Sequence, residues 1–585
     1  MEKIYIFLVL LLFIPLFLEA QEDEENVDPC VQIIDKSAEK ELKKALKLQN
    51  SGNKEQALKI YKELLAQNPN DLDLNYYYGI AYYFPVQNNG FNRKDSSSTR
   101  KALEAFSRIY AICSHYPKIQ YALYAARLSY FAENFAEAVK FAKVLIDNQE
   151  LVKNPTDFEE AETIIKRSGF FDKILNNPVL FQPITVQNIS TKNHEYLATL
   201  SPDGKYFYFT RVQPLKDKNN PFSDSESKEF FCISKRLPDG NYEQGKPLPY
   251  PFNRTSNEGS PAINLNNDYL IFSKKTMVNS YPNYDLYSSE FIDGEWSEPK
   301  ALGNNVNLPD SWESQPSLSS DGNILFFVSD RVAGKSTSPG KRGDSDIWYS
   351  RRQPDGSWGK AVNAGKTINT ESDERSPCLH TDSKTLYFSS SGHQGLGGQD
   401  IFYSRINNEH QWTTPVNLGY PINSEKDEVN FFVSLDGKTG YFSSNNIENE
   451  IWNIYKFDLY EKARPTNMII IKGKVEIEDD DFHNTVVELR DTTSKVISKT
   501  TVNPNSGEYA LSTHIDENCP TDVIVNVKKE GHAFDTKIVH LSEAKHNVVT
   551  NNAEIKKVEK GSTYQLHDIY FATNLYSITE KTKHI

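Results

Sequence analysis

A single unit recurs five times between about His194 and Tyr460, and that recurrence limits the folds open to this chain more than any other feature. The clearest copies read ESQPSLSSDGNILFFVSD from Glu313, ERSPCLHTDSKTLYFSSS from Glu374 and EVNFFVSLDGKTGYFSSN from Glu428; fainter ones start at Glu195 and Glu258. Each copy places a Glu eight residues ahead of a turn residue: Asp203, Asn266, Asp321, Asp382 or Asp436. Those turn residues are spaced by 63, 55, 61 and 54 positions. A fixed internal register with variable spacing means repeated supersecondary units that carry loop insertions.

Each unit predicts four short strands. The first runs into the turn, as at Ser376 to His380, where Asp and Gly tolerate the backbone angles of a hairpin. The second is aromatic and apolar, as in Leu386-Tyr387-Phe388, and the third carries Asp285-Leu286-Tyr287, Asp346-Ile347-Trp348 or Asp400-Ile401-Phe402. The fourth follows Trp296, Trp358 or Trp412 and leads to a V-N or I-N pair. Small twisted sheets repeated radially protect their edges, which predicts a β-propeller over 169–460. The fifth unit stops at Phe457, and Pro183 to Ile189 is fourth-strand-like, so it is expected to complete the last blade and close a five-bladed ring. Six blades remain the alternative, if Gly169 to Asn188 hides a degenerate one. The units resemble the WD-like repeats of TolB-type periplasmic proteins, on the S-P-D-G-K turn at Ser201 to Lys205.

Residues 36–168 are helical in pattern. Gly52, Ala57, Tyr61 and Pro69, with Ala45 ahead of them, have the spacing of a tetratricopeptide repeat. Gly79 and Tyr82, then Ala102 and Phe106, then Ala125, Ala138 and Ala142 continue it; small residues at these points let antiparallel helices approach. The region resembles the tetratricopeptide family, with Glu41 where that family usually has Trp. That resemblance implies a concave protein-binding groove; a capping domain is the plainer reading.

Residues 1–20 read as a secretory signal: Lys3, an apolar run from Ile4 to Leu18, and Ala20 at the cut. An uncleaved anchor is the alternative. Residues 21–35 read as an acidic flexible lead. After Tyr460 a short linker, 461–467, leads to period-two alternation over 468–553, a small β-sandwich. This segment resembles the carboxypeptidase regulatory-like domain and has no peptidase zinc motif. Residues 554–585 read as a linker and one strand. Tyr564 to Ile578 resembles the truncated start of an OmpA-like α/β domain, a family that binds peptidoglycan, and the family's ligand-holding Asp and Arg would lie beyond Ile585. The whole order resembles OmpA-family cell-envelope proteins of Bacteroidota, including components of type IX secretion.

The chemistry in the sequence is sparse. A net charge of −14 argues against a nucleic-acid or anionic-lipid partner. The five Cys are scattered and odd in number, so neither a disulfide framework nor a zinc spacing is visible. No G-x-S-x-G elbow occurs, and His380, His393 and His410 match no zinc template and read as surface residues. Gly395-Leu396-Gly397-Gly398 has no helix after it and reads as a flexible loop. Glu195, Glu258, Glu313, Glu374 and Glu428 would form a ring at one end of the propeller. They are either a carboxylate mouth that attracts a cation or ligand, or a turn device holding backbone N–H groups. Repeated positions usually serve the repeat itself, which favours the turn device. Tyr281, Tyr284 and Trp312 are loop aromatics able to stack on sugar or to pack between blades. The expectation is a non-enzymatic periplasmic scaffold associated with the outer membrane, with no catalytic residues, cofactor or metal. Its partners would be envelope proteins, and peptidoglycan if an OmpA-like domain follows. The alternative is a propeller that recognises a glycan or peptide at its channel mouth.

Overall fold

The computed structural model describes residue 30 and residues 36–88, 90–91, 96–214, 227–254, 257–278, 281–331, 344–445, 447, 451–515 and 522–561. The signal segment, nearly all of the lead 21–35 and the OmpA-like opening lie outside the described residues. The chain divides into two compact units, 1–173 and 174–585.

The first unit is a run of helical hairpins. Helices α1 (Lys36–Asn50) and α2 (Lys54–Gln67) pair, as do α3 (Leu72–Asn88) with α4 (Ser96–Ile112) and α5 (Gln120–Phe131) with α6 (Phe135–Asp147); α7 (Pro155–Leu175) follows. Their contacts are set by the small residues the sequence singled out. Ala45, Ala57, Ala102, Ala125, Ala138 and Ala142 are wholly buried, with Tyr61 and Phe106 filling the space they leave. Gly79 is needed for a close approach: a Cβ there would sit 2.4 Å from the Phe106 ring. Cys30 is joined to Cys113 by a disulfide with Cα atoms 5.3 Å apart. The scattered cysteines of the sequence showed no disulfide framework, and the structure pairs these two. The two lie 83 positions apart, so linear spacing could not reveal them. The bridge also ties Cys30 to the residue that follows α4.

The second unit holds five small antiparallel sheets followed by a pair of sheets. Sheet 1 is His194–Leu200, Tyr206–Pro214, Ser227–Lys235 and Lys246–Pro247, in chain order. Sheet 2 is Glu258–Ile263, Tyr269–Val278, Tyr281–Ile292 and Lys300–Ala301, with Glu295–Trp296 as an extra pairing. Sheets 3 and 4 repeat the pattern from Glu313–Leu318 to Val362–Asn363 and from Glu374–Leu379 to Val416–Asn417. Sheet 5 has Val429–Val433, Thr439–Ser444 and Asn453–Asp458, and its fourth strand is Ile184–Thr185, from ahead of sheet 1. The first strand of each sheet touches the first strand of the next, and that of sheet 5 returns to sheet 1.

The C-terminal pair of sheets is built around Met468–Ile477. This strand pairs antiparallel with Glu508–His514 and parallel with Val548–Thr550 and Ala553–Ile555. The opposing sheet runs Val496–Thr501, Val486–Arg490, Asp522–Lys528, Asp535–His540. Ile469 and Ile471 face the core between these sheets, whereas Met468 and Ile470 pack with Leu265, Leu435 and Ala510. The run Met468–Ile471 is apolar throughout because both faces of the strand are covered. The stretch 461–467, expected as a linker, is docked: Ala463 is buried and its carbonyl accepts from the Tyr387 hydroxyl at 2.6 Å.

Candidate functional site

The repeated Glu residues are buried at the start of the first strands, none more than 2 % exposed. Each carboxylate accepts from a backbone N–H four or five residues earlier: Thr191, Asn253, Leu308, Thr370 and Ser424 for Glu195, Glu258, Glu313, Glu374 and Glu428 in turn. Thr191, Ser311, Thr370 and Ser424 add hydroxyl donors. Arg211, Lys274 and Arg331, from the second strands or just after them, pair with Glu195, Glu258 and Glu313. Glu374 takes the Ser390 hydroxyl instead. Burial pushes Glu313 up to about 7, with Arg331 opposing, and pushes Glu428 up to about 7 with no Arg or Lys bridge recorded among the described residues. These carboxylates are occupied in fixing the connection between one sheet and the next, and none lines the central cavity.

A second repeated device explains the V-N and I-N pairs. Each fourth strand is only two residues long, so the third strand runs past its partner. Asn253, Asn307, Asn369 and Asn423 complete the ladder. Each accepts from the N–H of Phe231, Leu286, Ile347 or Ile401 and donates back to the same residue's carbonyl. In sheet 5 Ser190 does this for Ile454. A side-chain amide replaces a peptide group here and satisfies a buried donor.

The first strands share a third feature. Leu197, Ser260, Gln315, Ser376 and Asn430 all have φ between +48° and +57°, each at a β-bulge. The bulge turns the strand and sends some of these side chains across to the next sheet. Asn430 holds the N–H and C=O of Ala198, and Gln315 accepts from Ser376 N–H at 2.7 Å. The five residues line a narrow central cavity of about 100 Å3, bounded by the first strands of all five sheets. Among the described residues no Asp or Glu lines it, and Cys378 and His380 are its titratable groups. Burial pushes the Cys378 thiol up to about 12, so it is not a ready thiolate. Leu265 and Leu435, at the turn end of the cavity, pack on Met468 and Ile470, and Lys472 pairs with Asp203. Asn503 donates to Asp268 at 2.6 Å. The C-terminal sheets therefore cover the turn end.

Two other sequence readings are corrected. His380 is buried against the Ser434 carbonyl at 3.2 Å, and His393 is half-buried with Nε2 2.8 Å from the Ile368 carbonyl, so neither is a surface residue. Residues 395–398 are a close wrap: Cβ atoms on Gly395, Gly397 and Gly398 would fall 1.6 Å from the Asp400 carboxylate, 2.2 Å from the Glu425 backbone and 2.2 Å from the Asp427 carboxylate. Asp285 and Asp346 bond Thr276 and Asn363, and Asp400 accepts the Leu396 N–H; burial pushes Asp400 up to about 7.

At the loop end, Tyr284 meets Trp312 edge-on at 5.3 Å and Tyr196 meets Trp452 edge-on at 6.4 Å. The Tyr196 hydroxyl donates to Glu229 at 2.8 Å, and Trp312 is 38 % exposed. In the helical unit, Phe91 stacks on Phe131 at 4.3 Å beside a groove of about 710 Å3 between α4 and the end of α5. No helix among the described residues is long and apolar enough to cross a membrane.

No family model and no curated protein matches this chain. Among solved structures, it is similar to the Yersinia enterocolitica type III secretion chaperone SycD in complex with a YopD peptide: 17% identity, 24% of this chain, 99% of that chain, TM-score 0.18. It is also similar to an alpha-L-arabinofuranosidase from Lactobacillus brevis, with 11% identity, 48% of this chain, 97% of that chain and a TM-score of 0.28. A third is the exo-beta-1,3-galactanase 1,3Gal43A from Clostridium thermocellum, with 13% identity, 61% of this chain, 81% of that chain and a TM-score of 0.30.

Proposed function

We propose that the five sheets are the blades of a five-bladed β-propeller and that the chain is a non-enzymatic scaffold of the cell envelope. On this reading it is exported to the periplasm, bound to outer-membrane proteins through its helices and propeller, and resembles the PorE component of type IX secretion. One observation carries the reading: every repeated carboxylate is committed to holding a loop, and among the described residues the central cavity is lined without one. General acid–base hydrolysis of a glycoside needs a facing carboxyl pair, so this cavity favours a presenting surface over a reacting one. The Cys30–Cys113 disulfide supports an oxidising compartment. Attachment to peptidoglycan would follow if an OmpA-like domain continues from Tyr564 to Ile578. Affinity capture from a crosslinked envelope tests the scaffold: outer-membrane proteins should co-purify with the full chain and be lost when residues 36–168 are deleted. Capture of soluble enzymes alone would overturn it.

A second reading rests on the loop-end aromatics. Tyr284–Trp312 and Tyr196–Trp452, with Glu229 as acceptor, offer ring faces and a carboxylate to a glycan. Thermal shift with muropeptides and neutral sugars tests it. A shift that Trp312→Ala removes supports this reading, and no shift with any sugar ends it.

A further inference from the structure

We propose that reduction of the Cys30–Cys113 disulfide turns these two sulfurs and the His115 imidazole into a binding site for a thiophilic divalent metal of the zinc type. In the oxidised chain the three candidate ligand atoms already lie within 4.8 Å of one another, and His115 Nε2 is 3.2 Å from Cys30 Sγ. A tetrahedral zinc centre with Zn–S near 2.3 Å and Zn–N near 2.0 Å requires ligand edges of about 3.8 Å between sulfurs and about 3.5 Å from sulfur to nitrogen. The sulfur–nitrogen edge is thus nearly in place. The sulfurs need only to separate once their bond is broken.

Two of the three ligands sit on a fixed turn. Cys113 N–H donates to Ile109 at 2.8 Å, continuing α4, and Tyr116 N–H donates back to Cys113 at 3.2 Å. The buried Tyr121 donates its hydroxyl to the Ser114 carbonyl at 2.8 Å, which anchors the residue between the two ligands. Cys113 is buried and His115 exposed, so a metal would reach the site from solvent on the histidine side and keep a fourth position for water. Cys30 arrives from 83 residues earlier and closes the set.

The chemistry balances with a phosphine reductant. The phosphine takes the oxygen of one water, and the S–S bond accepts two electrons and two protons to give two thiols. Metal binding then forms two S–metal bonds and one N–metal bond and releases the two thiol protons. The disulfide form holds no thiolate and takes up no metal by this route, so uptake is gated by redox state.

Cobalt titration of the full chain tests this. As-isolated protein should bind no cobalt at these residues. After reduction by a phosphine under nitrogen it should bind one equivalent, with the thiolate-to-cobalt charge-transfer band and the visible bands of a tetrahedral centre. Zinc should displace the cobalt. His115→Gln, which leaves the disulfide intact, should weaken cobalt binding by at least about tenfold. The Cys30→Ser/Cys113→Ser double variant should abolish the band. Far-UV circular dichroism in the same titration follows the helices. The proposal is overturned if the reduced chain binds no more cobalt than the double variant or if His115→Gln binds like the parent. Loss of helix on reduction that zinc does not restore would overturn it as well.

Discussion

Replacing Asn369 by Ala tests the reasoning about the two-residue fourth strands. Asn369 is buried, accepts from Ile347 N–H at 2.9 Å, and donates to the Ile347 carbonyl and to Asn363 Oδ1, each at 2.9 Å. The Ile347 carbonyl keeps a second donor, the Ala364 N–H at 3.0 Å. The Ile347 N–H, which faces past the end of the fourth strand, loses the Asn369 Oδ1 that accepts it. An orphaned buried donor costs about 1–3 kcal/mol and each of the two donated bonds about 1 kcal/mol net, so Asn369→Ala should cost about 3–5 kcal/mol. Because the chain has several domains, a global unfolding midpoint is a poor reporter. Hydrogen–deuterium exchange of the peptide covering Asp346–Arg351 reads the effect locally. At about 1.4 kcal/mol per tenfold, opening of the third strand should rise about 140- to 4,000-fold. Asn369→Asp is the sharper version. It preserves the shape and the acceptor but cannot donate, and it aims an anionic oxygen at the Ile347 carbonyl. It should therefore destabilise at least as much as Ala once the new carboxyl is ionised, which burial delays toward pH 7 and above, as it does for Asp400 and Glu428. Protection in Asp346–Arg351 unchanged by either substitution would refute the account of the amide as a ladder extension.

The remaining predictions are shorter. Glu428 and Asp400 titrate near 7 in the folded chain, against about 4 when unfolded, so the folded state binds more protons between those values. Their contribution is fully present below about pH 4 and is lost as pH rises through 7. Glu428→Gln should flatten the loss of hydrogen-exchange protection in Val429–Val433 between pH 5 and 8, after correction for the intrinsic exchange rate, and an unchanged slope would count against the buried carboxylate. Met468→Asp places a charge among Leu265, Leu435 and Ile470, which should undock the C-terminal sheets and expose 461–467 to limited proteolysis. Gly79→Ala drives a methyl into Phe106 and should lower helical-unit stability by about 1–3 kcal/mol, seen as an earlier thermal loss of far-UV circular dichroism.

The repeat was legible because its signals are local. A first strand, a turn opened by Asp or Asn and an aromatic strand sit within 18 residues, and the sheets follow that register. The donation of Ile184–Thr185 to sheet 5 was also legible, since the last unit lacked a fourth strand. The helical spacing of Ala45, Ala57 and Tyr61 read through to burial for the same reason. What stayed hidden depends on residues far apart or on direction. The V-N and I-N pairs were visible, but not that Asn369 reaches Ile347, 22 positions back. His380 and Gly395–Gly398 were misread because exposure is set by packing against Ser434, Asp400 and Glu425.

By itself the sequence determined the kind of element along the five repeats and the helical run, because hydrophobic period and turn chemistry act over a few residues. It also determined that five Glu residues occupy equivalent places. Only the tertiary structure decided what those residues face. Burial and partners turned the Glu set inward to their loops, joined Cys30 to Cys113 beside His115, and laid Met468 and Ile470 over the end of the cavity. The side a residue presents, and the groups that meet it there, follow from how distant segments pack, and that geometry is not carried by neighbours in the chain.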